Sequence, residues 1–187
     1  MIRAALLVID LLNDFFERSP VLAGERARLV AATNQLAQSF RSRGLPLFWV
    51  RQEFAPDLND AFLDMRRRHI SITIAGTHGS EFLPELERAP EDVTIVKKRY
   101  SAFFQTTLED RLSALQPQLL VVAGVNTHAC VRTTVIDAYQ RDYDTVVAAE
   151  CVASNDAEHH AVTARYLDEA IARLLSNAEI TALLDAR

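Results

Sequence analysis

Three kinds of side chain that together make a nucleophilic site stand at the ends of apolar segments: Asp10, the pair Lys97-Lys98, and Cys130. Cys130 closes the run Gly124-Val125-Asn126-Thr127-His128-Ala129-Cys130, where an apolar strand breaks and a helix is predicted to begin. Asn126 and Thr127 are suitable N-cap residues, and Val131, Val135, Ala138 and Tyr139 follow at helical spacing. A thiol in such a first turn feels the positive end of the helix dipole and unpaired backbone N–H groups, which favour thiolate and can hold an oxyanion. A free cysteine is otherwise often a small core hydrophobe.

Asp10 follows Leu6-Leu7-Val8-Ile9, and a carboxylate leaving an apolar strand is placed for acid–base work; its alternative is a turn or cap acid. Asn13 and Asp14 can fill the turn instead. Strand alternation sends Lys97 and Lys98 to opposite faces, so at most one reaches a shared pocket, where its charge holds Asp10 ionised and acts on the thiol. His128 is not the base for Cys130, because helix positions two apart point about 200° from one another. It is read as a turn or interface histidine. His69, His78, His159 and His160 are scattered without metal-ligand spacing, and neither GxGxxG nor GxxxxGK[ST] occurs.

The elements that must position these groups alternate. Apolar runs at Ala4–Ile9, Leu45–Val50, Val93–Val96, Leu119–Val125 and Thr145–Ala149 read as buried strands. Helical patterns lie between them at Gly24–Arg43, Leu58–Arg68, Thr107–Leu115, His128–Arg141 and Ala157–Leu175. The alternation predicts right-handed crossovers and a three-layer α/β/α sandwich on a mainly parallel, Rossmann-like doubly wound sheet. Ligands of such sheets lie beyond the carboxyl ends of the strands, where Asp10, Lys97 or Lys98, and the 124–130 turn all fall. The longest irregular stretch, Gln52 to about Glu81, is a candidate lid or interface segment.

The 187 residues are expected to form a single domain, 1–187. A formal charge of −5 with interspersed signs offers no basic surface for nucleic acid, and Arg66-Arg67-Arg68 reads as a solvated face. Two cysteines make no disulfide framework and no secretory leader is evident, so a cytoplasmic location is expected. No stretch approaches the roughly 18 to 20 uncharged residues of a membrane span, so no membrane partner is expected.

Three ordered motifs carry a resemblance over nearly the full length: Leu7-Val8-Ile9-Asp10 with Asn13-Asp14-Phe15; Val96-Lys97-Lys98-Arg99-Tyr100-Ser101-Ala102-Phe103-Phe104; and Gly124 to Cys130 followed by Thr133-Thr134. The chain resembles the isochorismatase-like cysteine hydrolases. The resemblance implies a catalytic Asp10-Lys97-Cys130 triad, with Lys97 chosen over Lys98 by the Lys-x-Arg-Tyr pattern. It also implies a cis peptide between Val125 and Asn126, and an oxyanion hole from the Asn126 and Cys130 amides. Phe15, Phe54, Tyr100 and Phe104 are candidate pocket residues, and Ile74 to Glu81 resembles a family Thr-x-Gly region of the scaffold or pocket wall.

The chain departs from the family pattern in two places. Leu12 stands where members often have Gln, and Trp49-Val50-Arg51-Gln52-Glu53-Phe54 lacks the Asp-x-His metal site of nicotinamidase-like members. No metal or cofactor is therefore expected. The resemblance implies a small-molecule substrate, a homo-oligomer, and hydrolysis of a non-peptide C–N bond through a Cys130 thioester. The alternatives are isochorismatase-type vinyl-ether hydrolysis with Asp10 as acid, or a non-catalytic or redox-sensing member of the fold.

Overall fold

Six residues without a polar side chain, Ala4–Ile9, form strand β1, buried along its whole length. Full burial of each Leu, Val or Ile there contributes about 1.5–3 kcal/mol. Strand β2 (Leu47–Gln52), β3 (Val93–Lys97), β4 (Leu119–Val125), β5 (Thr145–Ala153) and β6 (Arg173–Leu175) join it in the order β3-β2-β1-β4-β5-β6, with every pairing parallel. The computed structural model describes residues 2–186.

Alternation along β1 divides the core. Leu6 and Val8 pack with Trp49, Phe40 and Ile180 on one face, whereas Leu7 and Ile9 pack with Val50, Leu112, Val135 and Cys130 on the other. The helices are α1 (Asn13–Glu17), α2 (Pro20–Arg41), α3 (Leu63–Arg68), α4 (Leu108–Leu115), α5 (Arg132–Tyr139), α6 (Ala157–Ala170) and α7 (Asn177–Asp185). Helices α2 and α7 cover the first face and α4, α5 and α6 the second, giving the expected three-layer sandwich with a sheet that is wholly parallel. No helix among the described residues is long and apolar enough to cross a membrane.

Several boundaries differ from the sequence pattern for identifiable reasons. Helix α2 begins at Pro20, with the Ser19 hydroxyl accepting from Leu22 N–H at 3.2 Å, four residues before the predicted start. The predicted helix from Leu58 starts only at Leu63, since Leu58 takes a left-handed φ of 60°. The pattern read as one helix to Leu175 is α6 followed by β6, and the Asp168 carboxylate accepts from Leu174 N–H at 2.8 Å in the new direction. Helix α7, started by a Ser176–Glu179 capping box, was outside the predicted elements.

Strand order reverses between β1 and β4, and there the backbones approach closely. Gly124 has φ +116°, and a Cβ on it would lie 1.9 Å from the Ile9 carbonyl oxygen. Only glycine fits at this position, one residue from the carboxylate of Asp10.

Candidate active site

The chain leaves β1 through Asp10, which adopts φ 56°, a left-handed conformation that Asp tolerates better than bulkier residues. Its backbone N–H donates to the Val50 carbonyl at 2.8 Å, and its carbonyl accepts from Leu12 N–H at 2.8 Å. This turn puts the carboxylate beyond β2, where Oδ1 accepts from the Gln52 backbone N–H at 2.7 Å.

Lys97 ends β3 on the face shared with Ile95, and Lys98 points away. The Lys97 ammonium lies 2.7 Å from Asp10 Oδ2, 3.3 Å from Cys130 Sγ and 3.1 Å from the Arg99 carbonyl. Lys98 instead donates to the Glu53 carbonyl and pairs with Asp60 at 2.8 Å, partly exposed. The structure thus brings Asp10, Lys97 and Cys130 together; Asp10 and Lys97 are fully buried and Cys130 is 4% exposed.

Cys130 lies in a single π-helical turn, Thr127–Val131, that leads into α5. The Val125–Asn126 peptide preceding it is cis. Thr134, one turn onward, donates from Oγ1 to the Cys130 carbonyl at 2.7 Å and accepts the Ala102 N–H at 3.0 Å. It thereby ties the chain after Lys97 to the chain at Cys130.

The electrostatics differ from the helix-dipole expectation. Burial pushes the Cys130 thiol up to about 12; the Lys97 charge works against this rise and the Asp10 charge adds to it. Burial also opposes charge on Lys97, but Asp10 and Cys130 more than offset it and hold the ammonium above its ordinary range. The resting state that follows is a protonated thiol beside an ammonium–carboxylate pair.

A cavity of about 540 Å³ opens over Cys130. Phe15, Phe62, Met65 and Ile72 give it an apolar wall, while Gln52, Asn126, Asn155 and His128 give it uncharged polar groups. The Gln52 side chain is buried and its amide nitrogen has no partner among the described residues.

Of the expected aromatic residues, Phe15 and Tyr100 line this cavity. Phe54 does not: it is fully buried in a satellite core with Leu58, Ala61 and Met65. Phe104 is 49% exposed and outside the cavity lining. Phe62 was missed, although it packs on Tyr100 at 4.9 Å and on Phe54 at 5.9 Å, with the Arg99 guanidinium 5.1 Å from its ring.

The 52–81 stretch thus builds a wall of the site. Asp14 fastens it, accepting from Thr73 N–H at 2.6 Å and from Arg18 at 2.8 Å, and a Cβ on Gly79 would meet the same carboxylate at 2.3 Å. The Asn13 amide donates to the His78 carbonyl at 3.0 Å. The turn residues suggested by sequence are therefore long-range anchors.

His128, read from sequence as a turn or interface histidine, lies in the turn that carries Cys130 and also lines the cavity. The α-helical angle does not apply inside the wider π turn. The His128 ring makes no hydrogen bond to the sulfur among the described residues: Nδ1 is engaged with Ser154 Oγ at 2.9 Å, and the partner of Cys130 Sγ is Lys97 Nζ.

At the end of β2 and just beyond it, an amide (Gln52), an acid paired with Arg51 at 2.8 Å (Glu53) and a buried phenyl ring (Phe54) do not make a metal-ligand set. No group of three His, Cys, Asp or Glu side chains suited to a metal occurs among the described residues.

Comparison with known proteins places the chain in a family. The isochorismatase domain model matches residues 4–179. A probable inactive nicotinamidase of Arabidopsis thaliana is 36% identical over 173 residues, covering 88% of this chain and 86% of the relative. The crystal structure of N-carbamoylsarcosine amidase from Thermoplasma acidophilum superposes with a TM-score of 0.79 at 27% identity, covering 94% of this chain and 96% of that one. An isochorismatase family protein from Desulfovibrio vulgaris shares the fold, with a TM-score of 0.87 at 24% identity and complete coverage of both chains. The chain belongs to the isochorismatase family of hydrolases.

Proposed function

We propose that this protein hydrolyses the C–N bond of a small amide or related compound through a thioester on Cys130. The observation that carries the reading is the Lys97 ammonium, 2.7 Å from Asp10 and 3.3 Å from the Cys130 sulfur in a buried site below an open cavity. A thiol held up near 12 needs a proton acceptor at the moment of attack, and the adjacent carboxylate supplies one.

Asp10 takes the thiol proton as sulfur bonds to the substrate carbonyl carbon, and the carbonyl electron pair moves to oxygen. The Asn126 and Cys130 N–H groups hold that oxyanion, each well-placed donor contributing about 3–4 kcal/mol. Collapse of the intermediate breaks the C–N bond, and Asp10 delivers its proton to the leaving nitrogen. Asp10 then accepts a proton from water as the hydroxyl attacks the thioester; the acid departs and the thiolate recovers the proton. Lys97 stays protonated, balancing negative charge as it passes between carboxylate and sulfur.

The test is turnover of a panel of small amides and ureides, with intact-mass detection of an acyl adduct after acid quench. An adduct on the wild-type chain that is absent from Cys130→Ala supports the reading. Undiminished turnover in Cys130→Ala without any adduct overturns it and leaves Asp10-dependent vinyl-ether hydrolysis, for which isochorismate is the panel substrate.

A further inference from the structure

We infer that His128 is a specificity-determining residue that donates a hydrogen bond from Nε2 to a second acceptor, a ring nitrogen or carbonyl, on the acyl body of an uncharged amide. The assignment rests on the amide-hydrolase reading above and goes beyond it by naming the group read and the residue that reads it.

Ser154, the residue that follows β5, is buried. Its hydroxyl oxygen accepts the His128 backbone N–H at 3.3 Å and lies 2.9 Å from His128 Nδ1. With one lone pair taken by that backbone N–H, the hydroxyl can give its own hydrogen to Nδ1. In that arrangement the ring proton sits on Nε2. That nitrogen has no protein partner among the described residues, and His128 belongs to the lining of the cavity over Cys130.

The surroundings keep the ring neutral and fixed. Burial lowers its pKa, His159 and His160 add to that, and Asp156 opposes them. The His159 ring packs against it at 5.3 Å. Hence the ring acts as an oriented dipole, a donor for a neutral acceptor. The rest of the lining agrees: Gln52, Asn126 and Asn155 are uncharged, and the single charged lining residue is the acid Asp64.

Benzamide and the three pyridine carboxamides form a matched set that differs only by one ring acceptor. At least one pyridine carboxamide should exceed benzamide in kcat/KM by about tenfold, the usual order for one hydrogen bond in a site. His128→Leu should remove that advantage mainly through KM. Two isosteres separate substrate reading from a structural role. Gln places its amide near the position of Nε2 and should restore the advantage, whereas Asn mimics Nδ1 and should not.

Equal rates for all four amides in the wild type, or an advantage that survives His128→Leu, overturns the assignment. So does rescue by Asn but not Gln, since that outcome means the Ser154 contact is what matters. Failure of every one of the four to acylate wild-type Cys130 counts against this assignment alone if other amides in the panel do acylate it. If none does, the amide-hydrolase reading falls with it.

Discussion

The two cysteines invite comparison because burial has done the same thing to both: Cys130 and Cys151 each have a thiol pushed up to about 12. Their neighbours differ. Cys151 donates to the Asn177 side-chain carbonyl at 3.3 Å, a neutral partner that holds a proton in place. Cys130 faces the Lys97 ammonium, itself 2.7 Å from the Asp10 carboxylate. On the proposed mechanism, what distinguishes Cys130 is not a depressed pKa but an acceptor for its proton within the same buried cluster.

The largest expected effect separates the two residues directly. Cys130→Ala should abolish acyl-adduct formation and reduce turnover by about 10⁴-fold or more, the order seen when a nucleophile is deleted. Cys151→Ala should leave kcat within about twofold, because Cys151 packs in the core on the other face of the sheet from Cys130, while the lost buried group lowers stability by about 1 kcal/mol. Steady-state kinetics and urea melts on both variants check this. A kcat loss in Cys151→Ala comparable to that of Cys130→Ala would erase the distinction.

Next comes the pair that distinguishes their surroundings. Asp10→Asn should stop thioester formation and, by leaving Lys97 buried without its counter-charge, destabilise the fold by about 3–5 kcal/mol. The neighbouring pair gives the contrast. Lys98–Asp60 is about a third exposed, so Asp60→Asn should cost only about 0–1 kcal/mol and spare the chemistry. Equal losses of stability in both variants would contradict the assignment of burial as the deciding factor.

How much of this was legible beforehand depended on the range of the forces involved. β1 and β4 were legible to their end residues, because a strand buried on both faces is written as an uninterrupted apolar run. Asp10 and Cys130 stood out for the same reason, as the first reactive groups beyond those runs. Strand alternation limited the lysine to one of two, and the family motif picked out Lys97. Phe62, Met65 and Ile72 were not legible as pocket wall, since their placement depends on Asp14 bonding to Thr73, 59 residues away. The place of His128 in the cavity lining was not legible, because the segment that carries it is a π turn and the α-helical period does not fix its direction.

A smaller effect concerns pH. Both thiols are held above their unfolded value, so above roughly pH 8.5 the unfolded chain loses thiol protons that the folded chain retains. Stability is then fully present below that value and falls as pH rises toward the folded pKa of about 12. Lys97 acts in the same direction, since its raised folded pKa gives stability that is lost at high pH. The urea midpoint should fall between pH 8 and 10, with a shallower slope in either Cys→Ala variant. An unchanged slope in Cys151→Ala would mean that its thiol is not held protonated by burial.

The smallest expected effect tests how Cys130 is aimed. Thr134 Oγ1 joins the Cys130 carbonyl to the Ala102 N–H, so it fixes the thiol relative to the segment that carries Lys97. Thr134→Val keeps shape and β-branching but removes both bonds, leaving a buried N–H unpaired at a cost of about 1–3 kcal/mol. If the 3.3 Å separation of Lys97 and Cys130 depends on this tie, kcat should fall about 5- to 10-fold with KM little changed, since a small misplacement acts on the attacking geometry. Thr134→Ser, which keeps the hydroxyl, should restore most of the rate. Loss of stability with kcat intact would mean that the surrounding packing alone aims Cys130, and the contrast between the two cysteines would then reside only in Asp10 and Lys97.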